Sequence, residues 1–412
     1  MNGPTQGSPA SFDAGAYRSR TPGVASLLHL NAGSAALPAA DVVATVRAHL
    51  DLEAKIGLQA ALTKAQEGLA TTRQCAATLL DCRPDQIAFG STCAQLWSLL
   101  FSSQRFAKGG RILVSRGEWG GNLLAIQVMG RELGFDIETI PTDATGKINL
   151  ERLTTRLAPD VRLLAVTAVS SVYGLRQPVA EIGALERPPG CLYFIDAAQA
   201  LGRFPLSLRD TRADVITAPA RKWLRGPRGQ AVAALSSAAL LRLTSPPLMD
   251  LGGFVWSDAG EPTPRGDAGR FEGHEFSVAG RLGFGAALGE LLDAGQGAVT
   301  ATINERLRQL RSDLATCEGV TVHEPANGDA AFLTFTCNGV PSSEVVFALA
   351  EDGIAIASQE RIYAPQELDA RGLQNVLRVS PHAYTHTDEI ARFIEVLGRV
   401  LSDRCRDDRK DG

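Results

Sequence analysis

Long apolar runs, paired cysteines and an excess of charge of either sign are all missing from this chain of 412 residues. No stretch of about 18 apolar residues occurs, so no membrane-spanning helix is expected. The seven cysteines, Cys75, Cys82, Cys93, Cys191, Cys317, Cys337 and Cys405, are odd in number, widely spaced and without a CxxC pair. That spacing argues against a disulfide framework and a zinc cluster, and for a reducing, cytoplasmic setting. Basic and acidic residues number 41 and 45, and the net charge of −4 gives no electrostatic case for nucleic acid or an anionic membrane. The opening residues MNGPTQGSPASFDAGAY lack an apolar core, so no secretory signal is expected. No internal repeat is visible.

What is present is an ordinary globular composition, 45% hydrophobic and 21% charged, long enough for two domains. Residues 1–28 are rich in Gly, Ser, Pro and Ala and read as a flexible arm. Pro38 opens a helical region that runs to about residue 80. Strand and helix signals then alternate. IAFG (87–90), RILVS (111–115), FDIETI (135–140), RLLAVTAV (162–169), and the runs at 191–196 and 214–218 read as strands with helices between them. Such alternation predicts an α/β fold, a mostly parallel central sheet covered by helices on both faces. The Pro- and Gly-dense segment 245–269 reads as a boundary region. Beyond it come a long helical stretch at 278–316, strands near 320–322, 331–336, 354–357 and 375–380, and helices at 342–351 and 387–402. The predicted division is a large domain over 29–262 and a smaller C-terminal α+β domain over 263–412.

The chemistry centres on CLYFIDAAQALGRFPLSLRDTRADVITAPARKWLRGPRG (191–229). A β-rich run ends in Asp196, a second ends near Ala218, and Lys222 follows in a Gly- and Pro-rich turn. A lone loop lysine is commonly a solvated charge, and a strand-end aspartate commonly caps the next helix. Together they match the needs of pyridoxal 5'-phosphate: an amine to carry the aldehyde, and a carboxylate to keep the pyridine nitrogen protonated as electron sink. Gln199 stands near enough to reach the 3-oxygen. Ser91 and Thr92, between a strand and a helix, offer hydroxyls and a helix start for the phosphate, or a simple N-cap. Arg221 adds charge beside the lysine. Trp119 in GEWGGN offers a flat face for the ring, core packing being the other reading. Arg378, inside the apolar strand VLRVSP, needs an anionic partner, either a structural carboxylate or the carboxylate of a substrate.

Taken in this order, these stretches resemble the class V aminotransferase family, pyridoxal phosphate enzymes of fold type I, over about residues 29 to 400. The likeness rests on LNAGS, GSTCA, SRGEWGGN, AVSSVYGLRQPVAEI, YFIDAAQALG, RKWLRGPRG, GRFEGHEFSVAGRLG and LRVSPHAYTHTDEI. It implies catalytic roles for Lys222 and Asp196. It also implies cofactor contacts from Ser91, Thr92, Trp119, Ser171, Gln199 and Arg221, and substrate contacts from Arg378 and Asn31. The resemblance further implies a homodimer, with the Glu272–Glu275 loop and its His274 reaching the neighbour's phosphate; His274 alone reads as a surface histidine.

Departures from the family pattern are as informative. Pro219 and Arg221 stand where the family often has Ser-x-His, and Ser171 where desulfurases have Asn. Cysteine desulfurases carry a mobile cysteine before the late arginine, whereas IASQERIYAPQELDARGLQNVLRVS contains none. The ARKWLRGPRG form and the RFE segment are most similar to ergothioneine-pathway C–S lyases, with isopenicillin N epimerase-like proteins and other thiol-conjugate-processing enzymes nearby. The expected function is a C–S β-lyase acting on a cysteine S-conjugate, with transamination, epimerisation or decarboxylation-coupled deamination as alternatives.

Overall fold

The computed structural model describes residues 12–104, 108–244, 246–247 and 249–407. Its centre is a seven-stranded sheet in the spatial order Ile87–Gly90, Ala231–Leu235, Val215–Pro219, Leu192–Asp196, Val161–Thr167, Arg111–Val114 and Asp136–Thr139. Ala231–Leu235 runs antiparallel to both neighbours; the remaining pairs are parallel. Along Leu192–Asp196, Tyr193 and Ile195 join the core on one face of the sheet, and Leu192 and Phe194 join that on the other. This period of two with both faces covered explains why the strand is apolar throughout.

The mostly parallel sheet matches the sequence pattern, but the strand Ala231–Leu235 was not foreseen. Its sequence, AVAAL, is poor in the β-branched and aromatic residues that mark strands. Tertiary burial between two strands places it there. The two long helical stretches are also each divided. Gly57 (φ 83°) separates Ala40–Ile56 from Leu58–Leu80, and Gly295 (φ 75°) separates Val278–Ala294 from Gln296–Leu314. Left-handed backbone of this kind suits glycine and ends a helix.

A second sheet, Val320–Val322, Leu333–Cys337, Asn375–Val379 and Ala357–Glu360, is antiparallel throughout. The expected strand at 354–357 resolves into two: Ile354–Ala355 pairs in parallel with Leu28–His29, and Ala357–Glu360 joins the second sheet. The flexible arm expected over 1–28 therefore needs correction where it is described; residues 1–11 lie outside the described residues. Ala14–Ser19 is a helix capped by Asp13, and Arg18 forms an ion pair with Glu389 at 2.8 Å. The buried ring of Tyr17 and the paired charges tie this segment to the far end of the chain, which composition alone does not reveal.

Arg225 braces these parts against the lysine turn. Its guanidinium is buried, pairs with Glu290 at 3.0 Å, donates to Thr21 Oγ1 at 2.6 Å and to the Leu37 carbonyl at 2.9 Å, and lies over Tyr17 and Tyr384. Removing Arg225 leaves the buried Glu290 facing only the half-exposed Arg20, 3.7 Å away. Arg225→Ala is expected to lower unfolding stability by about 3–5 kcal/mol in denaturant melts; a loss within error would show that the brace carries no stability.

Candidate active site

The site forms where three parallel strands end in register: Thr167 lies beside Asp196, and Asp196 beside Thr217. Ligands of open α/β sheets bind at this carboxyl edge. Asp196 is buried, and its Oδ1 accepts the Ala198 N–H at 2.8 Å while its Oδ2 accepts Asn122 Nδ2 at 2.7 Å. Burial pushes the Asp196 carboxyl up, against the pull of the Ala198 N–H, Lys222 and Asn122. Carboxyl strain of that sign is relieved by a cation or a protonated ring nitrogen.

Lys222 enters from the next loop. The Ala220 N–H donates to the Gln230 carbonyl at 2.9 Å and the Gly226 N–H to the Ala220 carbonyl at 2.8 Å, folding a tight turn around the lysine. Burial first, then Arg378 and Arg221, pull its amine down to about 7, while Asp196 and Cys93 oppose the shift. Near neutral pH a substantial share of this amine is therefore uncharged and nucleophilic.

Both residues line a cavity of about 360 Å³, a size that suits a small-molecule site. Ser91, Thr92, Trp119, Ser171, Gln199 and Arg221 line it as well, so most of the residues picked from the sequence meet there. At one end, Thr92 caps the ten-residue helix Cys93–Ser102, its Oγ1 accepting the Gln95 N–H at 3.0 Å. The N-cap reading of Thr92 thus holds, and the same turn presents a helix start to the cavity. Arg221 lines this end and donates to the Ser34 carbonyl. Burial, then Arg228, lowers its guanidinium, a setting that favours an anion.

Gln199 has its oxygen taken by Trp223 Nε1 at 3.0 Å and one amide hydrogen by the Gly33 carbonyl at 2.9 Å, which leaves one N–H. Ser171 Oγ is buried without a partner, whereas at the strand ends Thr167 Oγ1 faces Glu118 and Thr217 Oγ1 faces the Cys93 thiol. A buried hydroxyl is rarely left unpaired, so Ser171 marks where a polar ligand belongs. The amine, carboxylate, indole wall and anion-seeking end fit pyridoxal phosphate.

Arg378 and Asn31 stand just behind the lining. Arg378 donates to the Ser171 carbonyl at 2.9 Å, to Gln359 Oε1 at 3.2 Å and to Ser34 Oγ at 2.6 Å, and its Nε is unpartnered. Burial, then Arg221, pulls it down to about 9, so it remains cationic at neutral pH. None of its partners is a carboxylate, which removes the structural ion-pair reading. Asn31 Nδ2 reaches the Ile356 carbonyl at 3.4 Å and its Oδ1 is unpartnered, but Asn31 does not line the cavity. His274 does not line it either; it is exposed, and its backbone N–H donates to Asp250 Oδ2 at 2.7 Å.

Other residues escaped the sequence reading. Arg228 and Cys93 line the cavity; burial, then Asp196, pushes the Cys93 thiol up, keeping it protonated. Tyr363 stacks on Trp119 with centroids 5.4 Å apart and planes 9° from parallel. The segment carrying Tyr363 passes so close to Gly120 that a Cβ there would lie 2.1 Å from the Ile362 carbonyl oxygen. Only the missing side chain lets the segment settle on Trp119. Glu118 and Asn122, in the same GEWGGN stretch as Trp119, form the inner wall behind Asp196. Their signal was a buried-polar spacing of four along a helix start, invisible without the partner strand.

A model of the family described as aminotransferase class-V matches residues 28–393. The chain is 29% identical over 385 residues, 92% of each chain, to a probable hercynylcysteine sulfoxide lyase of Mycobacterium tuberculosis. It is 25% identical over 351 residues, 84% of this chain and 86% of the other, to a probable cysteine desulfurase of Methanothermobacter thermautotrophicus. Among solved structures, the cysteine desulfurase CsdA of Escherichia coli matches with a TM-score of 0.87 and 22% identity, covering 95% of this chain and 99% of that one. The cystine C–S lyase C-DES matches with a TM-score of 0.83 and 21% identity, covering 92% and 99%. Both structural likenesses show the fold.

The depressed amine has a direct consequence. In the cofactor-free protein Lys222 is expected to be acylated by a small amine-selective reagent at neutral pH well before Lys55, Lys64, Lys108, Lys147 or Lys410. Its labelling should fall about tenfold for each pH unit below about 6, as the neutral form is lost. Peptide mapping by mass spectrometry reads this directly; labelling of Lys222 no faster than the other lysines would contradict it.

Proposed function

The chain belongs to the class-V aminotransferase family and is a pyridoxal phosphate-dependent enzyme, and on that premise we propose that it cleaves the C–S bond of an S-substituted cysteine. One observation carries the reading. The run before the late arginine, residues 356–380, holds no cysteine, its Tyr363 packs on Trp119, and the Cys93 thiol in the cavity is held protonated. A persulfide-forming thiolate is therefore lacking among the described residues of the site, whereas a lyase needs none. The likeness to a protein named hercynylcysteine sulfoxide lyase supports the same substrate class.

In this proposal Lys222 Nζ would hold the cofactor and would serve as the base toward the substrate's α-proton. Its depressed basicity suits proton transfer near neutral pH. Asp196 would hold the proton of the ring nitrogen, and Trp119 would pack against the ring. Bound pyridoxal phosphate would supply the electron sink that makes the α-proton acidic. The backbone at Ser91–Thr92, with Arg221, would bind the phosphate, and Gln199 and Ser171 would hold the 3-oxygen. Arg378 pairs with the substrate α-carboxylate, with Asn31 beside it. The sulfur leaves as a thiolate and needs no acid, because thiols ionise near neutral pH. Overall, an S-substituted cysteine and water give a thiol, pyruvate and ammonium.

The proposal extends to assembly and setting. A homodimer is supported by the apolar residues Met249, Leu251, Val255 and Trp256, exposed on the segment leading to His274. In such a pair His274 would face the neighbour's phosphate. The division 29–262 and 263–412 goes with this arrangement, except that helix Val278–Ala294 packs on Ala40–Ile56 and Leu58–Leu80. A reducing cytoplasm fits the free cysteines Cys75, Cys82, Cys93, Cys191, Cys317 and Cys337.

With a panel of S-substituted cysteines, the holoenzyme is expected to release pyruvate and free thiol, and Lys222→Ala to release neither. A keto acid that keeps its sulfur, or racemised substrate, would overturn the lyase reading. Arg378→Ala should raise KM by about 10- to 100-fold, the cost of losing hydrogen bonds to a charged group; an unchanged KM would place the carboxylate elsewhere.

A further inference from the structure

Asp196 is not the only carboxyl group at the strand end. Asn122, on the first turn of helix Gly120–Leu133, spends both hydrogens of its side-chain amide on two buried carboxyls. One N–H bond goes to Asp196 Oδ2 at 2.7 Å and the other to Glu118 Oε1 at 2.9 Å. Glu118, Asn122 and Asp196 are respectively 1%, 1% and 3% exposed, so solvent screens none of them. The Ser115 hydroxyl lies 3.2 Å from Glu118 Oε2 and accepts the Thr167 N–H at 2.9 Å. Asn122 Oδ1 is left without a partner in the same enclosure. No basic side chain hydrogen-bonds or pairs with Glu118 among the described residues.

Two ionised carboxylates sharing one amide in such a place would repel, and of the two only Asp196 has a cation, Lys222, to offset its charge. We propose that Glu118 is a positioning residue for Asp196: a neutral carboxylic acid that anchors Asn122, so that Asp196 alone carries the negative charge offered to the cofactor's ring nitrogen. The inference rests on the cofactor role given to Asp196 above. Burial, and then the charge of Asp196, push Glu118 up to about 7 against the hydrogen bonds of Asn122, Thr167 and Ser115, which leaves it mostly neutral at slightly acidic pH. A glutamine at this position can make the same contacts while never carrying charge, whereas an alanine leaves the second Asn122 N–H unmet.

The test compares wild type, Glu118→Gln and Glu118→Ala. In the cofactor-free protein at slightly acidic pH, infrared spectroscopy is expected to show a buried carboxylic-acid C=O band that Glu118→Gln lacks. Absence of any band lost in that variant would overturn the proposal without reference to the cofactor. With pyridoxal phosphate labelled with nitrogen-15 in the ring, Glu118→Gln should keep the wild-type ring-nitrogen shift and hold the cofactor within about twofold of wild type. Glu118→Ala should bind it about tenfold more weakly, on the scale of one buried hydrogen bond, with the shift moved toward the unprotonated ring. If Glu118→Gln behaves like Glu118→Ala, the negative charge of Glu118 is required and the proposal fails. Should Glu118→Ala not fold, the infrared band and the glutamine variant decide. A wild-type ring nitrogen indifferent to Asp196→Asn would instead sink the role of Asp196, leaving the infrared result on Glu118 intact.

Discussion

A carboxylate buried at the end of a parallel strand is the constraint on which the rest of this site depends. Asp196 is carried there by an apolar strand that is covered on both faces, and the register of its neighbours brings Thr167 and Thr217 level with it. Burial makes that charge costly unless it is hydrogen-bonded and met by a partner of opposite sign. The Ala198 N–H and Asn122 supply the hydrogen bonds. Lys222 and a ring nitrogen are the partners that chemistry supplies in turn.

The cationic groups show the opposite side of the same balance. Lys222, Arg221 and Arg378 are all drawn down by burial; Arg221 weighs on both of the others, and Arg378 on Lys222. Such a cluster is suited to anions, in the proposed reading a phosphate and a carboxylate. Burial, and then the repulsion, keep the Lys222 amine partly neutral, which is the form that chemistry at a carbonyl or an α-carbon requires. In that reading, positive charge placed for binding would also prepare the base.

Much of this was legible in the sequence because the parts lie at strand ends, where a β-rich run stops and a polar residue or glycine follows. Asp196, Lys222, Ser91, Thr92 and Trp119 each carried that local mark, and all line one cavity. Arg378 was legible as a charge inside an apolar strand. What escaped depends on contacts distant in sequence. The strand Ala231–Leu235 is set by its two neighbours rather than by propensity. Tyr363 meets Trp119 across 244 positions of chain, and Gly120 is explained only by the carbonyl of Ile362. Asn31, within LNAGS, pairs with Ser380 and stands with Arg378 just behind the cavity wall, a placement set by contacts distant in sequence.

In the proposed reading, the lack of a cysteine in the run before Arg378 separates release of a thiol from formation of a persulfide. The most direct measurement follows an S-substituted cysteine with the holoenzyme in deuterium oxide by proton nuclear magnetic resonance. The account predicts free thiol and pyruvate in equal amounts, with deuterium in the pyruvate methyl group. Exchange of the α-proton with the carbon–sulfur bond intact, or a keto acid that retains its sulfur, would contradict it.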